Sequence, residues 1–155
     1  MTPGSPRTPA DNDTRAMHNP LLHHGGLIAY DAIRPEHVAP ALDVLLADAD
    51  AALEQAVSPA VPADYEVLSR LLGTATERLS RAWGAVGHLA HVVDTPALRA
   101  AHAENLPRVT DFHTRISSDE RLYAKYRTLA TSPQAALLSA PRRQALRSEE
   151  HTSEL

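Results

Sequence analysis

Histidine is the residue type in this sequence with the clearest capacity for chemistry, since nine histidines are present. His88 and His91 lie three positions apart, which on a helix places both imidazoles on one face, where they could bind a divalent metal ion. A third ligand would have to come from elsewhere in the chain. The alternative, which we favour, is structural: His88 lies near a helix interface with a hydrogen-bond partner, and His91 faces solvent.

The remaining histidines indicate a site less strongly. His23 and His24 lie beside two glycines and are predicted to be a solvated pair in a loop. His102 and His113 are close to one helix face, but Pro107 lies between them and disturbs the helical phase. The sequence contains no H-E-x-x-H, the helical motif of many zinc proteases. We therefore assign no catalytic and no metal-binding residue, and the substrate-binding residues stay unknown.

Other residue types add no catalytic pattern. The chain has no cysteine, which excludes disulfides, thiolate zinc sites and thiol nucleophiles within it. It also has no G-x-S-x-G, P-loop or G-x-G-x-x-G motif. Four carboxylates are predicted to form the solvated face of the first helix: Asp43, Asp48, Asp50 and Glu54. Three arginines of the second helix are too sparse for a nucleic-acid patch: Arg70, Arg78 and Arg81.

Composition favours helices and excludes some partners. The apolar fraction is 43% but the aromatic fraction only 4%, so the core must be built from Leu, Ala and Val, which suits helix packing better than a sheet. The net charge of −4 argues against nucleic acid, and no apolar run approaches the ~20 residues of a transmembrane helix. The absence of cysteine fits a reducing compartment, and we expect a cytoplasmic protein.

Apolar residues spaced three and four positions apart predict an all-α fold of antiparallel helical hairpins, a bundle of four to five helices. The first helix opens at Pro35 and ends at Ser58-Pro59. The second runs from about Asp64 to Val93, and its glycines could allow close helix contact. The third starts with Thr95 as its cap and has a kink or a break at Pro107.

Two more helices complete the predicted bundle. Ser117 to Glu120 match a capping box, with Ser117 as the cap and Glu120 reaching back to it. The helix that follows buries Tyr123 and Tyr126 with their hydroxyls at the rim of the core. A short fifth segment runs from Gln134 to Leu146.

The two ends of the chain differ from its middle. Residues 1–16 hold three prolines and no large apolar side chain, which predicts disorder, and Met17 is a plausible alternative start. Residues 147–155 read RSEEHTSEL, which is the in-frame translation of AGATCGGAAGAGCACACGTCTGAACTC, a DNA string that resembles a short-read sequencing adapter. We therefore interpret 17–146 as an incomplete helical N-terminal domain and 147–155 as an artefactual tail.

Seven short sequence elements follow one another along residues 17–146. Asn19-Pro20-Leu21-Leu22 precedes Tyr30-x-x-Ile33-x-Pro35-Glu36-His37-Val38-x-Pro40-Ala41, and these are followed by His88-Leu89, Thr95-Pro96-x-Leu98-Arg99, Leu106-Pro107, Leu122-Tyr123-x-x-Tyr126-Arg127-x-Leu129 and Arg142-Arg143-x-Ala145-Leu146. In this order they resemble the opening of the thimet-oligopeptidase-like family of zinc metallopeptidases. Two positions depart from that family's pattern, which has Phe at Tyr30 and Ser at Gly87. The stretch Leu22-His23-His24-Gly25-Gly26 also differs from the family's Pro-rich loop.

The resemblance implies a two-lobed, mostly helical peptidase whose N-terminal helices wall a deep channel and so restrict substrates to short peptides. A catalytic lobe in cis would carry H-E-x-x-H and a distal glutamate, and its zinc would polarise the scissile carbonyl and activate water. This chain lacks those residues, so we expect it to bind no zinc and to be inert alone. Two alternatives are a stand-alone helical protein-interaction module and a small metal protein that uses His88 and His91.

A fragment of a larger helical lobe should also be short of partners for its apolar faces. We expect the stripes of the first two helices to be incompletely covered, leaving an exposed apolar patch larger than the few hundred Å² usual for monomers. Such a fragment would be loosely packed or would aggregate when expressed alone.

The origin of residues 147–155 can be tested by sequencing the source DNA across codon 147. We expect the open reading frame to continue past Leu146 into a longer sequence that contains H-E-x-x-H. Genomic DNA that encodes RSEEHTSEL followed by a stop codon would contradict this and would favour the stand-alone module.

Overall fold

A computed structural model describes residues 18–152, with the side chains of 149–152 left aside. Six α-helices lie in this range and no strand does, so the predicted all-α class is confirmed: α1 Val38–Val57, α2 Tyr65–Val92, α3 Pro96–Ser117, α4 Glu120–Ala130, α5 Pro133–Leu137 and α6 Ala140–Thr152. Three 3-10 turns precede α1: Pro20–Leu22, Tyr30–Ala32 and Pro35–His37. The segment predicted to be disordered, 1–16, lies outside the described residues.

The chain divides into two compact units. The described part of the first unit comprises residues 18–45 and 78–105. Its buried apolar side chains come from the N-terminal turns, the start of α1, the end of α2 and the start of α3: Leu21, Ile33, Val38, Ala41, Leu42, Leu45, Leu79, Ala82, Ala85, Val86, Leu89, Ala90 and Leu98.

Asn19 anchors the start of the first unit although its amide is polar and 97% of it is buried (relative exposure 3%). Its Oδ1 accepts the Leu21 N–H at 3.0 Å, and its Nδ2 donates to the His37 carbonyl at 2.8 Å. Both ends of the buried amide are thus satisfied, as burial of a polar group requires. Asn19 therefore joins the first 3-10 turn to the turn that leads into α1.

The second unit comprises residues 46–77 and 106–152 of the described chain. One apolar cluster forms its core: Leu53, Ala56, Leu68, Leu72, Leu122, Tyr126, Leu129 and Leu146. Lys125 reaches from α4 to the carbonyls of Ser58, at 2.6 Å, and Val61. An ammonium group is thereby held against two backbone acceptors just beyond the C-terminal end of α1, where positive charge is favourable.

Most predicted helix boundaries are confirmed to within one or two residues. Pro35 opens the turn before α1, and α1 ends one residue before Ser58. Asp64 accepts the Val67 N–H at 3.0 Å before α2, and Thr95 accepts the Leu98 N–H at 3.3 Å before α3. These side chains satisfy N–H groups that have no partner within the helix.

Of the kink or break predicted at Pro107, the break is wrong, because α3 runs without interruption from Pro96 to Ser117. The kink stays a prediction. Proline inside a helix removes one hydrogen bond and costs about 3 kcal/mol. Leu98, Val109 and Phe112 are each 5% exposed or less, so burial of this helix's apolar side chains offsets that cost. Asn105 is also buried, and its Nδ2 donates to the Ala101 carbonyl at 2.9 Å.

The predicted capping box at Ser117 is also wrong. Ser117 is the last residue of α3, and its hydroxyl donates to the His113 carbonyl at 2.8 Å. The cap of α4 is Asp119, whose Oδ1 accepts the N–H groups of Arg121 at 2.9 Å and Leu122 at 3.2 Å. Because α3 extends further than expected, the cap falls to the last polar residue before α4.

The predicted fifth segment, Gln134 to Leu146, is two helices separated by Leu138 and Ser139. Both contact α4. The second, α6, continues beyond Leu146 to Thr152, and Leu146 is 3% exposed. The described chain thus has six helices where four to five were predicted. The adapter origin of 147–155 stays a prediction.

The expected shortage of cover over the first two helices is wrong. Every predicted stripe residue of α1 is 3% exposed or less. The predicted stripe residues of α2 are at most 8% exposed, with two exceptions. Leu71 is half-buried, and Val93 lies beyond the end of the helix and is 53% exposed. Large apolar residues are exposed elsewhere, at Leu27, Val92, Leu106 and Leu137. The predicted close helix contact is absent at Gly73 and Gly84, where an added Cβ would meet nothing within 4 Å.

We predict that Leu129→Ala lowers the free energy of unfolding by about 2–5 kcal/mol, because it empties a fully buried position of the second unit's core. Leu137→Ala is the matched control, since that leucine is 85% exposed in the same unit, and it should change stability by less than about 0.5 kcal/mol. Urea unfolding followed by circular dichroism measures both. Equal effects would contradict the core described here.

We predict that Asp119→Ala destabilises the protein by about 1 kcal/mol through loss of the α4 cap, whereas Asp119→Asn retains the cap and loses less. The Arg121 hydrogen bond, followed by the backbone N–H bonds, lowers the pKa of Asp119. The aspartate's contribution is therefore full above the unfolded pKa of about 3.9 and is lost as the pH falls through the lower folded value.

Unfolding free energies measured as a function of pH should show the wild type and Asp119→Ala converging below about pH 4. A difference between them that stays constant down to acid pH would contradict the role of the ionised carboxylate.

Candidate functional site

His88 and His91, the pair with metal-ligand spacing, are both exposed on α2. His88 was predicted to lie near a helix interface with a hydrogen-bond partner; its ring is instead exposed and lies in an edge contact with Tyr30, with centroids 5.4 Å apart. The solvent exposure predicted for His91 is confirmed. Its Nδ1 lies 3.0 Å from the Gly87 carbonyl oxygen, and since that oxygen can only accept, Nδ1 carries the proton.

The third ligand that a His88–His91 metal site requires is not present in the part of the chain that the structure describes. Among those residues no three His, Cys, Asp or Glu side chains come together in a group that could hold a metal ion. Two imidazoles on an exposed helix face can bind a divalent ion weakly, but a structural or catalytic zinc site uses at least three protein ligands.

His102 stacks on Trp83, with ring centroids 4.6 Å apart and planes 10° apart. A Cβ added at Gly87 would lie 3.8 Å from His102 Nε2, so the absence of a side chain there leaves room beside the imidazole. Trp83 carried no sequence signal of its own. A hint was available, because Trp83 and His102 lie on either side of the turn between α2 and α3.

The other sequence candidates occupy structural places. His23 and His24 are exposed, which confirms the predicted solvated pair. His113 is exposed and makes an edge contact with its neighbour Phe112, with centroids 5.7 Å apart. Tyr126 is buried in the second unit's core and Tyr123, three positions earlier, is half-buried, which confirms their predicted burial. The place of their hydroxyls stays a prediction.

The acidic face of α1 is partly paired with arginines. Within the second unit Asp50 lies 3.0 Å from Arg115, and Glu54 forms a two-point pair with Arg121 at 2.8 and 3.0 Å. The Arg121 hydrogen bond lowers the pKa of Glu54, and the hydrogen bond to Asp50 raises the pKa of Arg115. These exposed pairs contribute little to stability and create no acid or base poised for catalysis.

A cavity of about 330 Å³ lies in the first unit. The N-terminal turns and the middle of α2 enclose it, and Arg81, His18, His23 and His37 line it together with apolar residues. Arg81 Nη2 donates to the Gly26 carbonyl, which ties the N-terminal loop to α2. Sequence analysis placed Arg81 on a polar helix face and gave no signal that a loop folds over it.

Comparison with known proteins identifies the family. Residues 42–155 match the family model described as "Neurolysin/Thimet oligopeptidase, N-terminal domain". This chain belongs to that family. The match includes 147–155, whose origin it does not determine. In the structure, the matched region begins within α1 and includes the five helices that follow it.

Relatives of this oligopeptidase-family chain match nearly all of it. It is 36% identical over 130 residues to "Oligopeptidase A" of Salmonella typhimurium and 33% identical over 130 residues to "Oligopeptidase A" of Escherichia coli, each match covering 84% of this chain and 19% of the relative. It is 34% identical over 143 residues to "Probable cytosolic oligopeptidase A" of Arabidopsis thaliana, which covers 90% of this chain and 20% of that protein. The chain thus spans about a fifth of the length of these curated relatives.

No helix among the described residues of this family member is long and apolar enough to cross a membrane.

We predict that zinc titrated into the 155-residue chain binds no more tightly than to an unstructured histidine-containing peptide, because His88 and His91 lack a third ligand among the described residues. Isothermal titration calorimetry of the wild type and of His88→Ala measures this, with His113→Ala as the control for loss of one exposed imidazole. A one-to-one site that disappears in His88→Ala alone would restore the metal hypothesis.

Proposed function

We propose that this chain is the N-terminal helical part of a metallo-oligopeptidase that degrades short peptides. The observation that carries the proposal is the identity of 33–36% with proteins named oligopeptidase A, extending over 84% of the chain or more. Identity at that level along nearly the whole chain supports a shared role for the segment, rather than a shared motif.

The proposed role is structural. The helices would wall the substrate channel, and peptide cleavage would occur in a catalytic lobe supplied in cis by the rest of the parent protein. Two observations support this division. The sequence has no H-E-x-x-H, and the described residues bring no three metal ligands together. The residues present here therefore do not fit a zinc ion, and we assign the parent's proposed zinc to the catalytic lobe.

The alternative of a stand-alone interaction module rested on the long apolar stripe of α2, which could have accepted a partner helix. In the structure that stripe is buried within the chain, with Leu68 and Leu79 fully inaccessible to solvent. A surface already covered cannot recruit a partner without unfolding, so the structure favours the peptidase segment over this alternative.

We further propose that the parent acts in the cytoplasm on free peptides, with neither nucleic acid nor membrane as a partner. The cysteine-free composition and net charge of −4 support this, as does the word "cytosolic" in the name of one Arabidopsis relative. Another relative in that plant is named as organellar, so compartment varies within the family. Fractionation of the native source with an antibody against this chain would decide the matter.

The activity assignment predicts a clear difference between the fragment and its parent. A purified 155-residue chain should not cleave a quenched-fluorescent peptide, whereas the full-length parent should, and a metal chelator followed by zinc should abolish and then restore that cleavage. The matched control is the parent with the glutamate of H-E-x-x-H changed to glutamine.

Two results would contradict the proposal. One is peptide cleavage by the 155-residue chain that co-purifies with it through successive columns. The other is a full-length parent that cleaves no peptide when loaded with zinc, or whose cleavage is unaffected by the chelator.

A further inference from the structure

The lining of the cavity in the first unit is one-sided in charge. Arg81, His18, His23 and His37 contribute to it, whereas none of the described residues that line it is an aspartate or a glutamate. The whole chain carries more carboxylates than lysines and arginines, 19 against 15, so a wall without carboxylates is not a reflection of composition. An anion in this cavity would meet a permanent positive charge with no lining carboxylate to oppose it.

Arg81 is held in place by the loop that it tethers. Its Nη2 donates to the Gly26 carbonyl, which engages one of the five N–H donors of a guanidinium. Gly26 has a φ of +68°, and the preceding Gly25 a φ of +83°, a conformation that suits glycine and lets the loop turn back toward α2. The planar guanidinium is thereby oriented beside the cavity, and its geometry matches a carboxylate.

His37 adds a hydrogen-bond donor to the cavity wall. Its Nδ1 accepts the Arg34 backbone N–H at 2.9 Å, so in the neutral ring the proton resides on Nε2. Whether neutral or charged, the imidazole therefore has a donor at Nε2. Two residues from separate segments, Arg81 on α2 and His37 on the turn before α1, line the same cavity, and both carry N–H donors.

The rest of the wall is apolar. Leu21, Ala82 and Ala85 line the cavity and are each at most 8% exposed, and the half-buried Ile28 lies on the loop side. A volume of about 330 Å³ is at the lower end of the range of small-molecule sites, about 300–1,000 Å³. The combination suits a small ligand that carries a carboxylate beside an apolar group.

We propose that this cavity binds the carboxylate-bearing end of a short peptide whose last residue is apolar. The carboxylate pairs with Arg81 and His37, and the side chain lies against Leu21, Ala82 and Ala85. The source of the ligand rests on the proposed function, since a peptidase is surrounded by short peptides and its products carry new carboxyl termini. The binding chemistry itself rests only on the cavity.

The test is a calorimetric titration of the 155-residue chain with N-acetyl-leucine, N-acetyl-leucinamide and inorganic phosphate. The acid should bind saturably, and the neutral amide at least about tenfold more weakly, because it forfeits the charged hydrogen bonds. Phosphate, which has no apolar group, should also bind more weakly than the acid. Equal binding of acid and amide, no saturable binding of the acid, or stronger binding of phosphate would each overturn the proposal.

Three variants separate the site from general effects. Arg81→Gln should weaken binding of the acid at least about tenfold while its amide can still donate to Gly26. Ala32→Leu should also weaken binding, since it fills the cavity from an exposed lining position. Arg70→Gln, an exposed position on the same helix outside the lining, should bind as the wild type does.

Thermal unfolding of each variant shows whether the fold is retained. If Arg81→Gln unfolds early, Ala32→Leu decides the outcome. Unchanged binding in a folded Ala32→Leu, or a loss in Arg70→Gln equal to that in Arg81→Gln, would overturn the proposal. Because binding is measured without turnover, an inactive parent would contradict the proposed function and leave this result intact.

Discussion

Burial of short aliphatic side chains along helix faces is the constraint on which this structure depends. The chain has one tryptophan, one phenylalanine and four tyrosines, so few large rings are available to fill its interior. Leucine and alanine at steps of three and four supply the core, and each fully buried leucine contributes about 1.5–3 kcal/mol. Along α3, which continues through Pro107, Leu98, Val109 and Phe112 are buried in this way. The N-terminal loop is tied to α2 by the hydrogen bond from Arg81 to the Gly26 carbonyl.

The parts of the fold that could be predicted are those determined within a few turns of helix. The stripes of α1 and α2 and the cap at Thr95 depend on local sequence, and they lie where they were predicted. The errors arose where two local signals compete. Ser117 and Asp119 are both good caps, and the choice between them depends on how far α3 extends, which the cap residues alone do not determine.

The surroundings of the chemistry-bearing residues were the least predictable part. His88 was expected near a helix interface with a hydrogen-bond partner, but its ring contacts Tyr30, which lies in a 3-10 turn fifty-eight positions earlier in the sequence. In the sequence Arg81 was one of three arginines on the second helix, and only the structure shows that it donates a hydrogen bond to the Gly26 carbonyl. Contacts of this kind join segments that are distant along the chain, and the periodicity of apolar residues does not predict them because it depends only on near neighbours. Family resemblance supplied the proposed function because it compares whole segments, whereas single residues in this chain specified none.

The position of Trp83, stacked on His102, confines the tryptophan fluorescence of this protein to one of its two units. Trp83 is the only tryptophan in the sequence, and both rings belong to the unit formed by residues 18–45 and 78–105. Intrinsic indole emission therefore reports on that unit alone and is blind to events confined to residues 46–77 and 106–152. Far-ultraviolet circular dichroism, by contrast, sums over every helix. A difference between the unfolding midpoints measured by fluorescence and by circular dichroism would show that the two units unfold independently.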